Sequence, residues 1–193
     1  MNLDLIIVVG YSYILGSIPF GLIVTKIYLK KDVRDFGSGN IGATNVLRTG
    51  KKTLAALTLL LDVMKGYISI HLSLNYFSDL VYLAGLASLL GHIFPIWLKF
   101  KGGKGVAPYL GIILGLSFKF AIVFCATWLI VLYLFKYSSL SSVFSSLIVL
   151  FYSLIIDNFY TSFYLFIASV IILYTHKENI IRLKNKTENK IKF

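Results

Sequence analysis

Charge is scarce in this sequence, and acidic charge scarcer still. Only 14% of its 193 residues are charged, eight Asp and Glu against nineteen Lys and Arg, whereas a soluble domain carries about 25% to hydrate its surface. The 58% hydrophobic content and mean hydropathy of +0.82 call for lipid as a second solvent. One cysteine, Cys125, excludes an intrachain disulfide and leaves the redox compartment open. That cysteine and three scattered histidines form no ligand constellation, so neither metal nor cofactor is expected. Internal repeats and low-complexity segments are also lacking. At roughly 20 apolar residues per crossing, 193 residues leave little for a soluble domain, so residues 1–193 read as a single integral membrane domain.

The net charge of +11 would suggest nucleic acid in a soluble protein. Here the basic residues lie in short loops between apolar runs, as topology signals do, so membrane lipid is the expected partner and nucleic acid is not. The opening MNLDLIIVVG has no basic leading region, and no small-residue cleavage site ends its apolar stretch. It reads as a retained first membrane helix.

Apolar runs cover residues 4–28, 54–74 and 77–98. Residues 110–135 divide into a short helix ending near Ser117 and a full one starting near Phe118. Residues 138–175, too long for one crossing, divide at Asp157–Asn158. Basic residues cluster in three places: Lys30, Lys31, Arg34, Arg48, Lys51 and Lys52; Lys99, Lys101 and Lys104; and Lys177, Arg182, Lys184, Lys186, Lys190 and Lys192. With all three clusters in the cytoplasm the number of crossings is odd. The expected fold is an all-α, polytopic membrane helix bundle of seven transmembrane helices. Its N-terminus lies outside, its C-terminus in the cytoplasm, and its fourth helix is short or tilted.

Within the first loop, DFGSGNIGATNVLRTGKK, the glycines Gly37, Gly39, Gly42 and Gly50 let backbone amides approach a ligand closely. Ser38, Asn40, Thr44 and Asn45 add neutral hydrogen-bonding groups, and Arg48 adds a fork that matches phosphate. The competing reading is a flexible turn carrying topology charge. In the second loop, GHIFPIWLKFKGGKGVAP, Gly102, Gly103 and Gly105 surround Lys104, again suiting phosphate. No Ser or Thr follows Lys104, as a nucleotide-binding P-loop would require. His92 reads as a helix-packing or interfacial residue. In the tail, THKENIIRLKNKTENK, His176 and Asn179 share a face if the last helix continues. The tail lysines read as a basic segment on anionic lipid. Asp62 and Lys65, at i and i+3, are expected to pair inside the bundle and support the site from the second helix.

Three distant loops with phosphate-type donors imply a phosphorylated substrate. Phosphate transfer, acyl transfer and anion transport all remain open on these residues. An organic-anion or phosphate transporter is the leading alternative to an enzyme, although transporters more often show repeats and broken helices meeting at the midplane.

The stretches GSIPFGLIVTKIY, DFGSGNIGATNVLR, LLDVMKG, GHIFPIWLKFKGGKGVA and HKENIIRLKNKTE together resemble the bacterial acyl-phosphate:glycerol-3-phosphate acyltransferase family. The resemblance implies a seven-helix enzyme of the bacterial inner membrane, active at its cytoplasmic face. Such an enzyme moves a fatty acyl group from acyl phosphate to the 1-hydroxyl of glycerol 3-phosphate, giving lysophosphatidic acid. The His-x4-Asp dyad of the other large glycerolipid acyltransferase class is absent, since Tyr76, Trp97 and Ile181 stand at that spacing after the three histidines.

By resemblance, Ser38, Arg48 and Lys104 hold phosphate groups, and Gly102, Gly103 and Gly105 shape the glycerol 3-phosphate site. Ser139 is a further contact, with Ser142 as the competing alignment. His176 and Asn179 bind or orient the reacting groups, and Glu188 holds the tail. His176 is the obvious side-chain base by type, while the resemblance implies catalysis without a dedicated protein base. Two positions depart from the family pattern: Lys186 stands where Gly is usual, and Pro108 where a small residue such as Thr is common.

Overall fold

A computed structural model describes residues 3–191; Lys192, counted above among the tail lysines, lies outside the described residues. Those residues are helical throughout, with no strand among them. They fall into two compact units divided between Gly115 and Leu116.

The first unit opens with α1 (Leu3–Ser17) and α2 (Phe20–Leu29), separated at Ile18–Pro19, where proline has no N–H to continue the ladder. A short α3 (Ala43–Leu47) sits in the first loop, followed by the long α4 (Lys52–Tyr76) and by α5 (Val81–Ile93). The run at 77–98 is therefore α-helical only in its middle, with a turn of 3-10 helix at each end, Ser78–Leu80 and Ile96–Leu98. The α-helix closes before Pro95, which disfavours helical geometry in the preceding residue. In α6 (Val106–Leu116), Pro108 occupies the first turn, where its missing N–H is no loss.

Backbones approach closely in this unit because small residues face each other. Gly16 of α1 lies on the Ser88 backbone of α5, and Gly91 of α5 lies on the Tyr13 carbonyl. A methyl group at either site would overlap main-chain atoms, which is how small residues drive helix contact in lipid. Tyr13 Oη donates to the Phe94 carbonyl at 2.7 Å and Trp97 Nε1 donates to Ser17 Oγ at 2.8 Å.

The second unit contains α7 (Phe118–Phe135), α8 (Ser138–Ile156), α9 (Phe159–Thr175) and α10 (Lys177–Lys184). The two expected divisions, at Ser117 and at Asp157–Asn158, are both present. Asn158 caps α9 by accepting from the Thr161 amide at 2.9 Å, the usual reason a polar residue stops one helix and starts another. Five buried serines of α8, Ser141, Ser142, Ser145, Ser146 and Ser153, return their hydroxyls to carbonyls three or four residues back. A seryl stripe is thus compatible with an apolar surrounding.

Among the described residues five segments are long and apolar enough to cross a membrane: Leu3–Leu29, Lys52–Tyr76, Ser78–Leu98, Phe118–Phe135 and Ser138–Ile156. The pair α9 and α10, bent by 60° at His176, makes a sixth when counted as one span. The last helix therefore does not run straight on into the tail. At about 1.5 Å per residue, the 11 residues of α6 fall short of a hydrocarbon core about 30 Å thick. Large apolar side chains such as Leu129, Tyr133, Ile155 and Phe159 are exposed, as lipid-facing residues are.

Candidate active site

The first loop is built around Asn45, which is buried. The two hydrogens of its Nδ2 are shared among the carbonyls of Val33 at 2.8 Å, Phe36 at 3.0 Å and Asn40 at 2.8 Å, and its Oδ1 accepts from the Ser38 amide at 2.9 Å. Asn40 in turn accepts from the Gly42 amide at 3.0 Å. These two amides, read from sequence as groups offered to a ligand, are instead consumed in shaping the loop. Gly37 has φ +55° and lies on Asn45 Oδ1 and the Arg48 stem, so no side chain fits there. Arg34 is committed to Asp32, through bonds of 2.9 and 2.7 Å. Those bonds hold the Asp32 carboxyl down to about 2 against its partial burial. Arg48 and Ser38 differ: both are exposed, and neither side chain has an ion pair or hydrogen bond among the described residues.

An apolar cluster joins the first loop to the second. Leu22, Val33, Ile41, Val46 and Ala55 are buried together, and Leu98 packs against them. Beyond Leu98, the Gly102 amide donates to the Ile93 carbonyl and the Gly103 amide to the His92 carbonyl, both at 3.0 Å. Gly105 adopts φ +84° and its carbonyl accepts from the Tyr109 amide at 2.9 Å, starting α6. Lys104 is half-buried between two buried glycines.

Asp62 and Lys65 pair as expected, at 2.8 Å, each only 2% exposed. The ammonium also reaches the Ile18 carbonyl at 2.9 Å and His92 Nδ1 at 2.8 Å. His92 is therefore more than a packing residue. Its link to the ion pair, 27 positions away, leaves no local sequence signal.

The tail forms a separate cluster in the second unit. Glu188 Oε1 accepts from Ser139 Oγ at 2.8 Å and from Asn179 Nδ2 at 2.6 Å, while Oε2 accepts from Arg182 Nε at 2.8 Å. Burial works to raise its carboxyl, but these three donors prevail and hold it below the usual range. Ser142, the competing choice to Ser139, instead accepts from Trp128 Nε1 at 3.2 Å. His176 is buried at the bend, its Nδ1 at 2.8 Å from the Ile172 carbonyl. A carbonyl only accepts, so Nδ1 carries a proton.

After α10 the chain reverses through hydrogen bonds from Lys186 N to Leu183 O and from Thr187 N to Arg182 O. Lys186 occupies the left-handed position at φ +58°, the site that favours glycine in this type of helix end. The expected family glycine at 186 thus has a backbone reason. The tail returns to the start of α8, where the Ile191 amide donates to the Lys136 carbonyl at 2.8 Å and Lys190 lies over the Tyr137 ring.

Comparison with known proteins agrees along the whole length. The profile of the family described as glycerol-3-phosphate acyltransferase matches residues 6–186. A protein of that name from Pelagibacter ubique is 53% identical over 191 residues, covering 98% of this chain and 99% of its own. Its counterpart from Brucella anthropi is 47% identical over 192 residues, covering 99% and 95%. Among solved structures, PlsY, an integral membrane glycerol 3-phosphate acyltransferase, superposes in its glycerol 3-phosphate form with a TM-score of 0.93. That match has 34% identity and covers 98% of this chain and 96% of that one. The lysophosphatidic acid form gives a TM-score of 0.91 at 33% identity, with the same coverage.

Proposed function

The chain belongs to the glycerol-3-phosphate acyltransferase family, and we propose that it acylates the 1-hydroxyl of glycerol 3-phosphate with acyl phosphate as the donor. The full-length match to that family carries the assignment, and the exposed, uncommitted Arg48 carries the site. Residues 1–193 act as one enzyme domain of the bacterial inner membrane. Seven crossings put the N-terminus outside and the three basic clusters in the cytoplasm, with α6 as the short crossing. The distribution of Lys and Arg supports this orientation.

An acyl phosphate is a mixed anhydride with a good leaving group, so the protein has two main tasks. It must orient the hydroxyl against the carbonyl carbon, and it must neutralise two phosphates. The new ester C–O bond forms as the C–O bond to phosphate breaks. Lysophosphatidic acid and inorganic phosphate result, with the hydroxyl proton passing to a substrate phosphate. Arg48 and Lys104 supply full charge, while Ser38 and the amides of Gly102, Gly103 and Gly105 supply dipoles. Ser139, His176 and Asn179 bind or orient the reacting groups.

Purified protein in detergent or bilayers, given acyl phosphate and labelled glycerol 3-phosphate, should yield labelled lysophosphatidic acid. Acyl-CoA in place of acyl phosphate should not. A folded sample that makes none from acyl phosphate overturns the proposal. Arg48→Ala and Lys104→Ala should each lower kcat/KM about 10- to 100-fold, the worth of a hydrogen bond to a charged group.

A further inference from the structure

Three acceptors surround the Lys65 ammonium: the Ile18 carbonyl at 2.9 Å, Asp62 Oδ1 at 2.8 Å and His92 Nδ1 at 2.8 Å. An ammonium has three N–H groups and no lone pair. His92 Nδ1 is bonded to a group that can only donate, so it accepts and the ring proton lies on Nε2, while Asp62 Oδ1 is held at ion-pair distance. That edge of the ring meets the second loop: a Cβ on Gly103 would overlap His92 Nε2, with Cε1 and Cδ2 close behind. The same histidine's carbonyl receives the Gly103 amide at 3.0 Å. Gly103 is therefore seated on a single residue, through both its carbonyl and its ring. The ring is 4% exposed.

We propose that His92 is a positioning residue for glycerol 3-phosphate, its ring clamped on one edge by the Asp62–Lys65 pair and carrying the Gly102–Gly105 backbone on the other. The buried ion pair then has a task beyond satisfying itself: it fixes the height and tilt of the ring on which a phosphate-binding loop rests. Glycine at 102 and 103 follows from this seat, since the His92 carbonyl and Pro95 Cδ leave no space for a Cβ at 102 either. A loop displaced by about an ångström loses binding geometry on the order of 100-fold, so a change at His92 reaches the substrate without touching it.

The inference rests on the reading that this loop binds glycerol 3-phosphate, and the experiment separates the two. His92→Asn keeps an acceptor where Nδ1 was, for Lys65, but withdraws the edge that supports Gly103. The purified variant should keep its thermal midpoint and its KM for acyl phosphate while its KM for glycerol 3-phosphate rises about 10-fold or more. His92→Gln, whose amide reaches toward the Nε2 position, should recover most of that loss. An unchanged glycerol 3-phosphate KM in folded His92→Asn overturns the proposal, as does an equal rise in both KM values. If Lys104→Ala also leaves glycerol 3-phosphate KM unchanged, the loop reading fails and this inference with it. A rise in Lys104→Ala alone confines the failure to His92. Should His92→Asn not fold, ¹⁵N spectra of wild-type protein decide: saturating glycerol 3-phosphate without donor should shift the His92 Nε2 resonance while the ring stays neutral. A resonance that does not move overturns the proposal.

Discussion

Asp62 and Glu188 are both buried carboxylates that organise a loop, but their surroundings differ. Asp62 faces a full ammonium between helices, with both partners 2% exposed. Glu188, 7% exposed, faces Arg182, which is 37% exposed, and two neutral donors, Ser139 and Asn179. Water can replace what is lost around Glu188, whereas nothing polar can replace what is lost around Asp62. One cluster is thus an all-or-none component of the helix packing, and the other is a latch that can open.

The largest effect should follow Lys65→Met, which strands the Asp62 charge and should cost about 3–5 kcal/mol, read as a collapse of the thermal midpoint in detergent. The double variant Asp62→Asn/Lys65→Met removes both charges and should recover most of it. Equal damage in the single and double variants would break the contrast, because stranded charge would then not be the cause.

Next in size is Glu188→Gln, which keeps one acceptor oxygen, turns the other into a donor and loses the charge, at a cost of about 1.5–3 kcal/mol. It should open the tail to proteolysis near residues 185–191 with little change in the midpoint of the helices. Acid should act in the same way. The native Glu188 carboxyl lies below its ordinary value of 4.5, so its contribution is complete above that pH. It disappears as pH falls through the native value. Protection factors for hydrogen exchange in the tail, after correction for the intrinsic pH dependence of exchange, should be constant from neutral pH down to about 5 and fall only on the acid side of the ordinary value.

The smallest effect sharpens the latch. Lys186→Gly relieves a left-handed residue at φ +58° and should stabilise the docked tail by about 1 kcal/mol, seen as slower cleavage there.

Much of this was legible in the residues. The splits at Ser117 and Asp157–Asn158, the short α6 and the Asp62–Lys65 pair follow from local pattern and i,i+3 spacing. The bend at His176 did not, because neither proline nor glycine marks residues 159–184. Asn45 and Asn40 looked like ligand groups because composition cannot distinguish an amide offered outward from one used to close its own loop.

The sequence by itself determined the solvent, the family and the runs that become helices, since hydrophobicity and turn chemistry are local properties. Only the tertiary structure decided which polar groups are spent and which remain. Lys65 meets a carbonyl 47 positions away and Glu188 a hydroxyl 49 positions away, and such partners are chosen by packing. The same holds for the two loops with phosphate-type donors. Their residues announce the chemistry, but Arg48 and Ser38 stand out within the first only because Asn45, Asn40 and Arg34 are already engaged.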